Sequence, residues 1–191
     1  MRIIGGEKRG LKLADVGEGD AAAHLRPTTD RIRESMFNLL VNGTHGNPIP
    51  DARVLDLFAG TGALGLEALS RGAKSVTFVD DGAAARALLR QNIAKMRAAD
   101  VTEIVRRDAT KMGALRGAGY DLIFLDPPYG MGLGERALAS CLADGWIAAG
   151  AMVVWEDSKP PLVPAPLEQI DQRKYGETIV TLARMPRGLS Q

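Results

Sequence analysis

A short apolar stretch that ends in an acid, two prolines and an aromatic residue carries the clearest indication of chemistry in this sequence. Residues 122–125 are typical of a buried strand, and the carboxylate of Asp126 can accept a hydrogen bond from an exocyclic amine. Pro127 and Pro128 have no backbone N–H and a fixed φ, so their carbonyls can be held toward the same amine. Tyr129 can stack on a planar ring. The pattern predicts a pocket for a planar, amine-bearing substrate, with a strand and an ordinary Pro-Pro turn as the alternative.

A glycine-rich turn joins the first predicted strand, 54–58, to the first predicted helix, 61–71. Gly60 and Gly62 belong to a G-x-G-x-x-G pattern, which fits the pyrophosphate of a dinucleotide equally well. Asp56 lies in the approach to this turn, where it would repel a pyrophosphate and attract an ammonium group. S-adenosyl-L-methionine has an α-amino group and a sulfonium and no phosphate, so it is the predicted cofactor. A tight turn before a capped helix is the alternative.

Further acids stand where later strands are predicted to end. Asp80 ends the second strand, where a carboxylate can accept the ribose hydroxyls of a bound nucleoside. Asp108 follows the third strand and either accepts from an adenine amine or caps a short helix at 110–115. We also place Phe58, at the end of the first strand, in the cofactor site. With Asp126, these acids predict one site at the carboxyl ends of the strands, where open α/β sheets bind ligands.

The order of elements indicates how these residues are brought together. Strands and helices alternate after residue 50, which implies a parallel sheet covered on both faces. The last two strands have no helix between them and must run antiparallel. This is the Rossmann-like α/β layout of the class I methyltransferase fold. The predicted strands are 54–58, 75–80, 101–106, 121–126, 152–156, 168–174 and 178–184, and the predicted helices are 61–71, 82–99, 110–115 and 135–143.

Residues 1–50 are predicted to be an extension packed on the methyltransferase domain, 51–191. The extension has a glycine-containing hairpin at 1–13, a loop at 15–23 and a helix at 28–40 capped by Thr29 or Asp30. Because the sheet begins only near residue 53, we expect a terminal hairpin to contribute little to the core.

Four basic residues in the hairpin are the candidates for contacts with RNA phosphates. The alternatives are a solvated basic face or a hairpin that only covers the domain. The four residues are Arg2, Lys8, Arg9 and Lys12.

The composition limits the remaining classes of function. The 191 residues, 46% hydrophobic and 25% charged, suit one globular domain. One cysteine excludes an internal disulfide, and with two histidines it leaves no plausible zinc cluster, so we expect no metal. We find no apolar run long enough to cross a membrane and no signal-peptide pattern, so we expect a cytoplasmic protein. We also expect a monomer. A net charge of +1 gives no general basic field.

Several separated stretches together resemble the RsmD family of bacterial small-subunit rRNA guanine-N2 methyltransferases. They are the opening MRIIGG, RGLKL at 9–13, LRPTTDRIRESMFN at 25–38, DLFAGTGALGLEALSRGA at 56–73, DPPY at 126–129 and KYG at 174–176. The resemblance spans nearly the whole chain. Asp80 stands where Glu is expected more often, and Tyr129 stands where other members have Phe.

The resemblance implies that S-adenosyl-L-methionine methylates the N2 of one guanosine in 16S rRNA, in an assembled or partly assembled small subunit. Asp126, Pro127 and Tyr129 would be catalytic, with Pro128 and Tyr129 against the substrate. Two alternatives remain from the residues alone. The same pocket suits the N6 amine of adenine in DNA, although no target-recognition domain is evident, and an RNA-binding protein could retain the fold without activity.

Overall fold

The computed structural model describes residues 1–14 and 29–188. The predicted loop at 15–23 lies outside the described residues, as does the first residue of the helix predicted at 28–40. In the described part, α1 begins at Asp30 and ends at Asn42, and Thr29 caps it by accepting from the backbone N–H of Ile32 at 3.3 Å. The first of the two predicted caps is therefore confirmed.

A seven-stranded sheet in the order β3-β2-β1-β4-β5-β7-β6 forms the centre of the described molecule. The first five strands run parallel, and β7 runs antiparallel to both β5 and β6. The strands are β1 Arg53–Leu57, β2 Ser75–Val79, β3 Thr102–Val105, β4 Tyr120–Leu125, β5 Ile147–Asp157, β6 Glu168–Tyr175 and β7 Thr178–Arg184. The helices after α1 are α2 Ala63–Ser70, α3 Ala83–Met96 and α4 Leu133–Ala143, with a 3₁₀ turn at Ala99–Val101. The predicted parallel sheet with an antiparallel hairpin at its edge is confirmed.

Both faces of the sheet are buried, which explains why its central strands read as continuous apolar runs. In β4, Leu122 and Phe124 belong to a core shared with α1, α2 and α3. Ile123 and Leu125 belong to the opposite core, which includes α4. The alternation follows from the two-residue period of a strand. The strands are therefore held rigidly, and their carboxyl ends form a fixed edge.

The N-terminal segment is part of the core rather than a cover over it. Its two limbs pair through one antiparallel bridge, Arg2 to Lys12, so the predicted hairpin is present without an extended ladder. Ile3 and Leu13 are 0% and 2% exposed and pack in the same cluster as α1, α2 and α3. The expectation that the hairpin would contribute little to the core is wrong, because its alternate apolar residues point inward.

A buried glutamate on α2 fixes this segment in place. Glu67 is 0% exposed and accepts from the backbone N–H groups of Ile4 and Gly5 at 2.7 and 2.8 Å. It also accepts from Arg71 Nε at 2.7 Å, and Arg33 Nε lies 3.9 Å away. A buried carboxylate is stable only with such partners. The segment therefore supplies hydrogen bonds that the domain needs.

Most predicted boundaries lie within three residues of the observed ones, and two predicted elements differ more strongly. The helix predicted at 110–115 is wrong, because the chain there makes only a turn at 109–110 and no helix. β5 begins at Ile147 rather than at residue 152, and Gly150 interrupts the apolar pattern with a φ of 78°. The register against β4 shifts over the same stretch. An irregular strand start of this kind conceals the two-residue period in the sequence.

Candidate active site and cofactor loop

The predicted acids lie along one edge because four parallel strands end there. Leu57 at the end of β1 pairs with Val79 of β2 and with Leu125 of β4. The residues that directly follow these three strands therefore lie side by side at this edge. They are Phe58, Asp80 and Asp126. This is the carboxyl edge at which open α/β sheets bind ligands.

The loop from Phe58 to Gly62, which we call the cofactor loop, has an unusual backbone. Phe58, Gly60 and Gly62 have φ values of 58°, 55° and 78°. A bulky residue with a positive φ is strained by about 1–3 kcal/mol, and such residues cluster at functional sites. A Cβ on Gly62 would lie 2.3 Å from Leu89 Cδ1, and the φ of 78° at this position also favours glycine.

Asp80 ties the cofactor loop to the start of α3. Its Oδ2 accepts from the backbone N–H of Gly60 at 2.8 Å, and its Oδ1 accepts from that of Gly82 at 2.8 Å. Burial raises the pKa of the carboxyl group, and these two hydrogen bonds oppose the rise. Each carboxylate oxygen has a second lone pair. Asp80 therefore shapes the loop and retains capacity to accept two more hydrogen bonds.

Asp56 lies beneath the cofactor loop rather than on its surface. The side chain is 2% exposed, and its Oδ2 accepts from the backbone N–H of Gly65 in the first turn of α2 at 2.9 Å. Its pKa is raised to about 8, mainly by burial; the hydrogen bond from Gly65 opposes the rise, and the nearby charge of Asp80 adds to it. The contact of Asp56 with a ligand remains a prediction. The structure shows in addition that Asp56 stabilises the first turn of α2 by accepting from Gly65.

Asp108 stabilises the turn that follows β3. Its Oδ1 accepts from both the backbone N–H and the hydroxyl of Thr110, at 2.8 and 2.7 Å. The hydrogen bonds from Thr110 are the main reason why the pKa of Asp108 is lowered. The alternative role as a helix cap is wrong, because no helix follows. Acceptance from an adenine amine remains a prediction.

The loop after β4 presents the predicted substrate residues. Asp126 is half-buried, Pro127 is buried and Pro128 is exposed. Tyr129 is 39% exposed, yet its hydroxyl donates to Glu156 Oε1 at 3.2 Å. Burial raises the pKa of the Tyr129 hydroxyl, and the charges of Glu156 and Asp126 raise it further. The hydroxyl therefore stays protonated at neutral pH, and part of the ring remains accessible.

Two buried polar side chains at this edge are absent from the sequence prediction. Glu156, 3% exposed, follows the apolar run of β5, so the strand-end rule that identified Asp126 could have found it. Asn92 on α3 is 0% exposed and donates to the carbonyl oxygens of Thr61 and Ala14 at 2.9 and 3.0 Å. It also accepts from the backbone N–H of Ala14 at 2.7 Å. No local pattern reveals a partner 78 residues away.

The basic residues of the hairpin lie mostly on its outer surface. Arg2, Arg9 and Lys12 are exposed, and Arg2 and Lys12 are neighbours across the bridge. Lys8 is half-buried, and its Nζ lies 2.7 Å from Glu7 Oε1. Arg2 Nε lies 3.8 Å from Asp30 Oδ2. Arg9 and Lys12 are therefore the better candidates for phosphate contacts.

Comparison with known proteins identifies the family. Residues 1–184 match the family model described as Conserved hypothetical protein 95. The chain belongs to this family. It is 40% identical over 168 residues to Ribosomal RNA small subunit methyltransferase D of Escherichia coli K12, covering 86% of this chain and 80% of that protein. It is 34% identical to the protein of the same name from Haemophilus influenzae, covering 85% and 82%. The predicted membership of the RsmD family is confirmed.

Solved structures agree with this assignment. The Escherichia coli methyltransferase yhhF superposes with a TM-score of 0.81 at 37% identity, covering 97% of this chain and 98% of that one. The Haemophilus influenzae methylase HI0767 gives a TM-score of 0.76 at 28% identity, covering 97% and 98%. The predicted class I methyltransferase fold is confirmed.

Metal-binding groups and membrane-spanning helices are both absent from the described residues. Within residues 1–14 and 29–188, no group of three or more His, Cys, Asp or Glu side chains has the arrangement of a metal site. Among the helices that the structure describes, none is long and apolar enough to cross a membrane.

Proposed function

We propose that this chain transfers the methyl group of S-adenosyl-L-methionine to the exocyclic N2 of one guanosine in 16S rRNA. The observation that carries the proposal is the juxtaposition of residues 126–129 with the cofactor loop. The two segments leave the neighbouring parallel strands β4 and β1 at the same edge. Two relatives named as ribosomal RNA small subunit methyltransferases support rRNA as the substrate. We propose an assembled or partly assembled small subunit as the particle that is recognised.

The polar groups at the cofactor loop suit a nucleoside with a cationic tail better than a phosphate. Residues 56–65 contain no Lys or Arg and include an acid. The Asp80 carboxylate would accept from the ribose hydroxyls, and Asp108 would accept from the adenine amine. Asp56 is protonated in the free protein, and the positive charge of the bound ligand above it would favour its ionised form. Phe58 would pack against the ligand. When bound, S-adenosyl-L-methionine supplies an electrophilic methyl group on its sulfonium.

Asp126 and Pro127 would activate the target amine. An aromatic amine is a poor nucleophile, because its lone pair is delocalised into the ring. Hydrogen bonds from N2 to the Asp126 carboxylate and the Pro127 carbonyl would favour a pyramidal nitrogen, whose localised lone pair would make N2 a better nucleophile. Asp126 would take the proton that the amine loses. Positioning of the two reactants can supply roughly 7–11 kcal/mol of the barrier reduction.

The pocket requires a base that has left its stack. Flipping or unstacking a base costs a few kcal/mol. Stacking of the base on Tyr129 would offset about 1–3 kcal/mol of this cost. Pro128, which is rigid, would also lie against the base. The partly exposed ring of Tyr129 is compatible with that contact.

The exposed cations of the hairpin would bind the RNA backbone. Arg9 and Lys12 are exposed, Arg2 lies across the bridge from Lys12, and Lys8 is half-buried. Such contacts position an RNA without reading its sequence, and they weaken with salt. An enzyme that acts on ribosomal RNA would work in the cytoplasm.

Methyl transfer to defined particles tests the proposal. Small subunits from cells that lack the enzyme are incubated with labelled S-adenosyl-L-methionine, and their RNA is digested to nucleosides. We expect N2-methylguanosine in 16S rRNA, and none with Asp126→Ala, which should still bind the cofactor. N6-methyladenosine in DNA would support the alternative adenine enzyme. No transfer to any nucleic acid, despite cofactor binding, would contradict the proposal.

A further inference from the structure

We propose that Glu156 and Thr178 are positioning residues. They fix the Tyr129 ring in the orientation in which the target base stacks on it. The inference rests on the proposed function, in which the base stacks on that ring. Neither residue needs to touch the substrate for this role. Both would act through the hydroxyl group of Tyr129.

The hydroxyl of Tyr129 has two buried side-chain neighbours. It donates to Glu156 Oε1 at 3.2 Å, and the Thr178 side chain opposes the rise in the Tyr129 pKa that burial causes. Glu156 and Thr178 are 3% and 7% exposed, whereas Tyr129 is 39% exposed. The polar tip of the ring is therefore anchored to buried side chains, while part of the ring remains accessible.

The anchors lie on adjacent strands and are fixed by them. Glu156 belongs to β5 and pairs with Val180 of β7, and Thr178 begins β7 two residues earlier. The register of β4 against β5 brings Asp126 next to Glu156, because Leu125 pairs with Trp155. The distance from ring to catalytic carboxylate is thus set by sheet geometry rather than by the loop.

The loop that carries Tyr129 needs such an anchor. It connects β4 to α4, and it contains Gly130 and Gly132 with φ values of 79° and 61°. Glycines give a loop more accessible backbone conformations than other residues do. If the ring is mobile in the free protein, ordering it on binding lowers the affinity for RNA by about 2- to 12-fold. The contacts with Glu156 and Thr178 order the ring before the RNA binds, so this loss of affinity is avoided.

Substitutions that keep or remove each contact separate this role from a general structural one. Thr178→Val and Glu156→Met remove a partner, whereas Thr178→Ser and Glu156→Gln keep a hydroxyl donor and an oxygen acceptor. We expect the first pair to raise the KM for small-subunit particles about 2- to 12-fold and the second pair to restore it. The Kd for S-adenosyl-L-methionine should not change in any of them.

A double-mutant comparison gives the decisive result. Tyr129→Phe removes the hydroxyl through which Glu156 and Thr178 act. In that background, Thr178→Val and Glu156→Met should therefore not raise the KM above that of Tyr129→Phe alone. Thr181→Val is the matched control, since Thr181 lies on the same strand and its hydroxyl accepts from Gln172 Nε2 at 2.9 Å. It should leave the KM unchanged.

Two results would overturn the inference while the wild-type enzyme remains active on small subunits. One is an unchanged KM in Thr178→Val and Glu156→Met. The other is an increase of equal size in the Tyr129→Phe background, which would mean that the anchors act independently of the Tyr129 hydroxyl. Failure of the proposed function looks different, because the wild-type protein itself would then transfer no methyl group to the particles.

Discussion

Asp56 and Gly65 are joined beneath the cofactor loop by a hydrogen bond of 2.9 Å from the glycine N–H to Oδ2. The acid is buried, and its pKa rises from 3.8 to about 8. Between these two values the folded protein keeps a proton that the unfolded chain has released. The folded state therefore loses stability as the pH rises from about 4 to about 8. The acid that supports the loop thus makes the fold sensitive to pH.

Replacing Asp56 with Asn should remove this part of the pH dependence. The Asn side chain cannot ionise, and its amide oxygen can still accept from Gly65. We expect the stability difference between Asp56→Asn and wild type to move in favour of the variant from pH 5 to pH 8, measured as free energies of urea unfolding. Asp100→Asn, at an exposed position, is the control and should give a parallel curve. Parallel curves for Asp56→Asn would contradict the buried, protonated state.

Asp80→Asn should weaken cofactor binding without unfolding the protein. Asn has one acceptor oxygen, whereas Asp80 uses both oxygens, one for Gly60 and one for Gly82. The variant would lose one of these loop contacts and a charged acceptor for the ribose, so we expect a roughly tenfold or larger rise in Kd. Calorimetry with S-adenosyl-L-homocysteine measures it, and Asp81→Asn at the exposed neighbour should bind normally. Equal affinities in the two variants would remove Asp80 from the site.

The local motifs allow most of this site to be predicted, because Asp80 and Asp126 each stand directly after an apolar run. Asp80 and Asp126 lie at the predicted edge for that reason. Asp108 follows β3 as predicted, but the helix expected at 110–115 is a turn. Short helices depend on tertiary contacts that a few residues do not reveal.

The contribution of the N-terminal segment could not be predicted in the same way. Ile3 and Leu13 alternate with polar residues, a pattern that an exposed hairpin also shows. Their burial depends on α2, and the Glu67 side chain that accepts from Ile4 is 63 residues away. Partners at that separation are set by the folded topology, and a single sequence contains no local trace of them.

Gly134→Ala should destabilise the protein, although alanine normally stabilises a helix by about 1 kcal/mol relative to glycine. Gly134 lies in the first turn of α4, and a Cβ there would come 2.3 Å from Trp155 Cζ2. Overpacking of this kind costs about 1–3 kcal/mol. Thermal melting would measure the loss.

A second substitution tests whether the contact with Trp155 is the cause. The side chain introduced by Trp155→Phe lacks the part of the indole that a Cβ on residue 134 would meet. Gly134→Ala should therefore cost less in the Trp155→Phe background than in wild type. Equal losses in the two backgrounds would point to another origin.

Charge removal and deletion should have different effects in the N-terminal segment. Arg9→Gln and Lys12→Gln alter exposed side chains, so the melting temperature should stay within a degree or two, roughly the effect expected of surface changes. If each side chain contacts a phosphate, each substitution should reduce the log–log salt slope of small-subunit binding by about 1. Lys74→Gln is the matched control, since Lys74 is exposed and lies outside the N-terminal segment.

Deletion of residues 2–13 should instead unfold the domain or lower its melting temperature strongly. The deletion removes Ile3 and Leu13 from the core, and it leaves the buried Glu67 carboxylate without the N–H groups of Ile4 and Gly5. A deletion variant that melts like wild type would contradict the structural role. If the salt slope of small-subunit binding is the same for Arg9→Gln, Lys12→Gln and Lys74→Gln, the segment stabilises the fold and does not contact the RNA backbone. A reduced slope at normal stability would mean that one short segment both completes the core and binds the substrate.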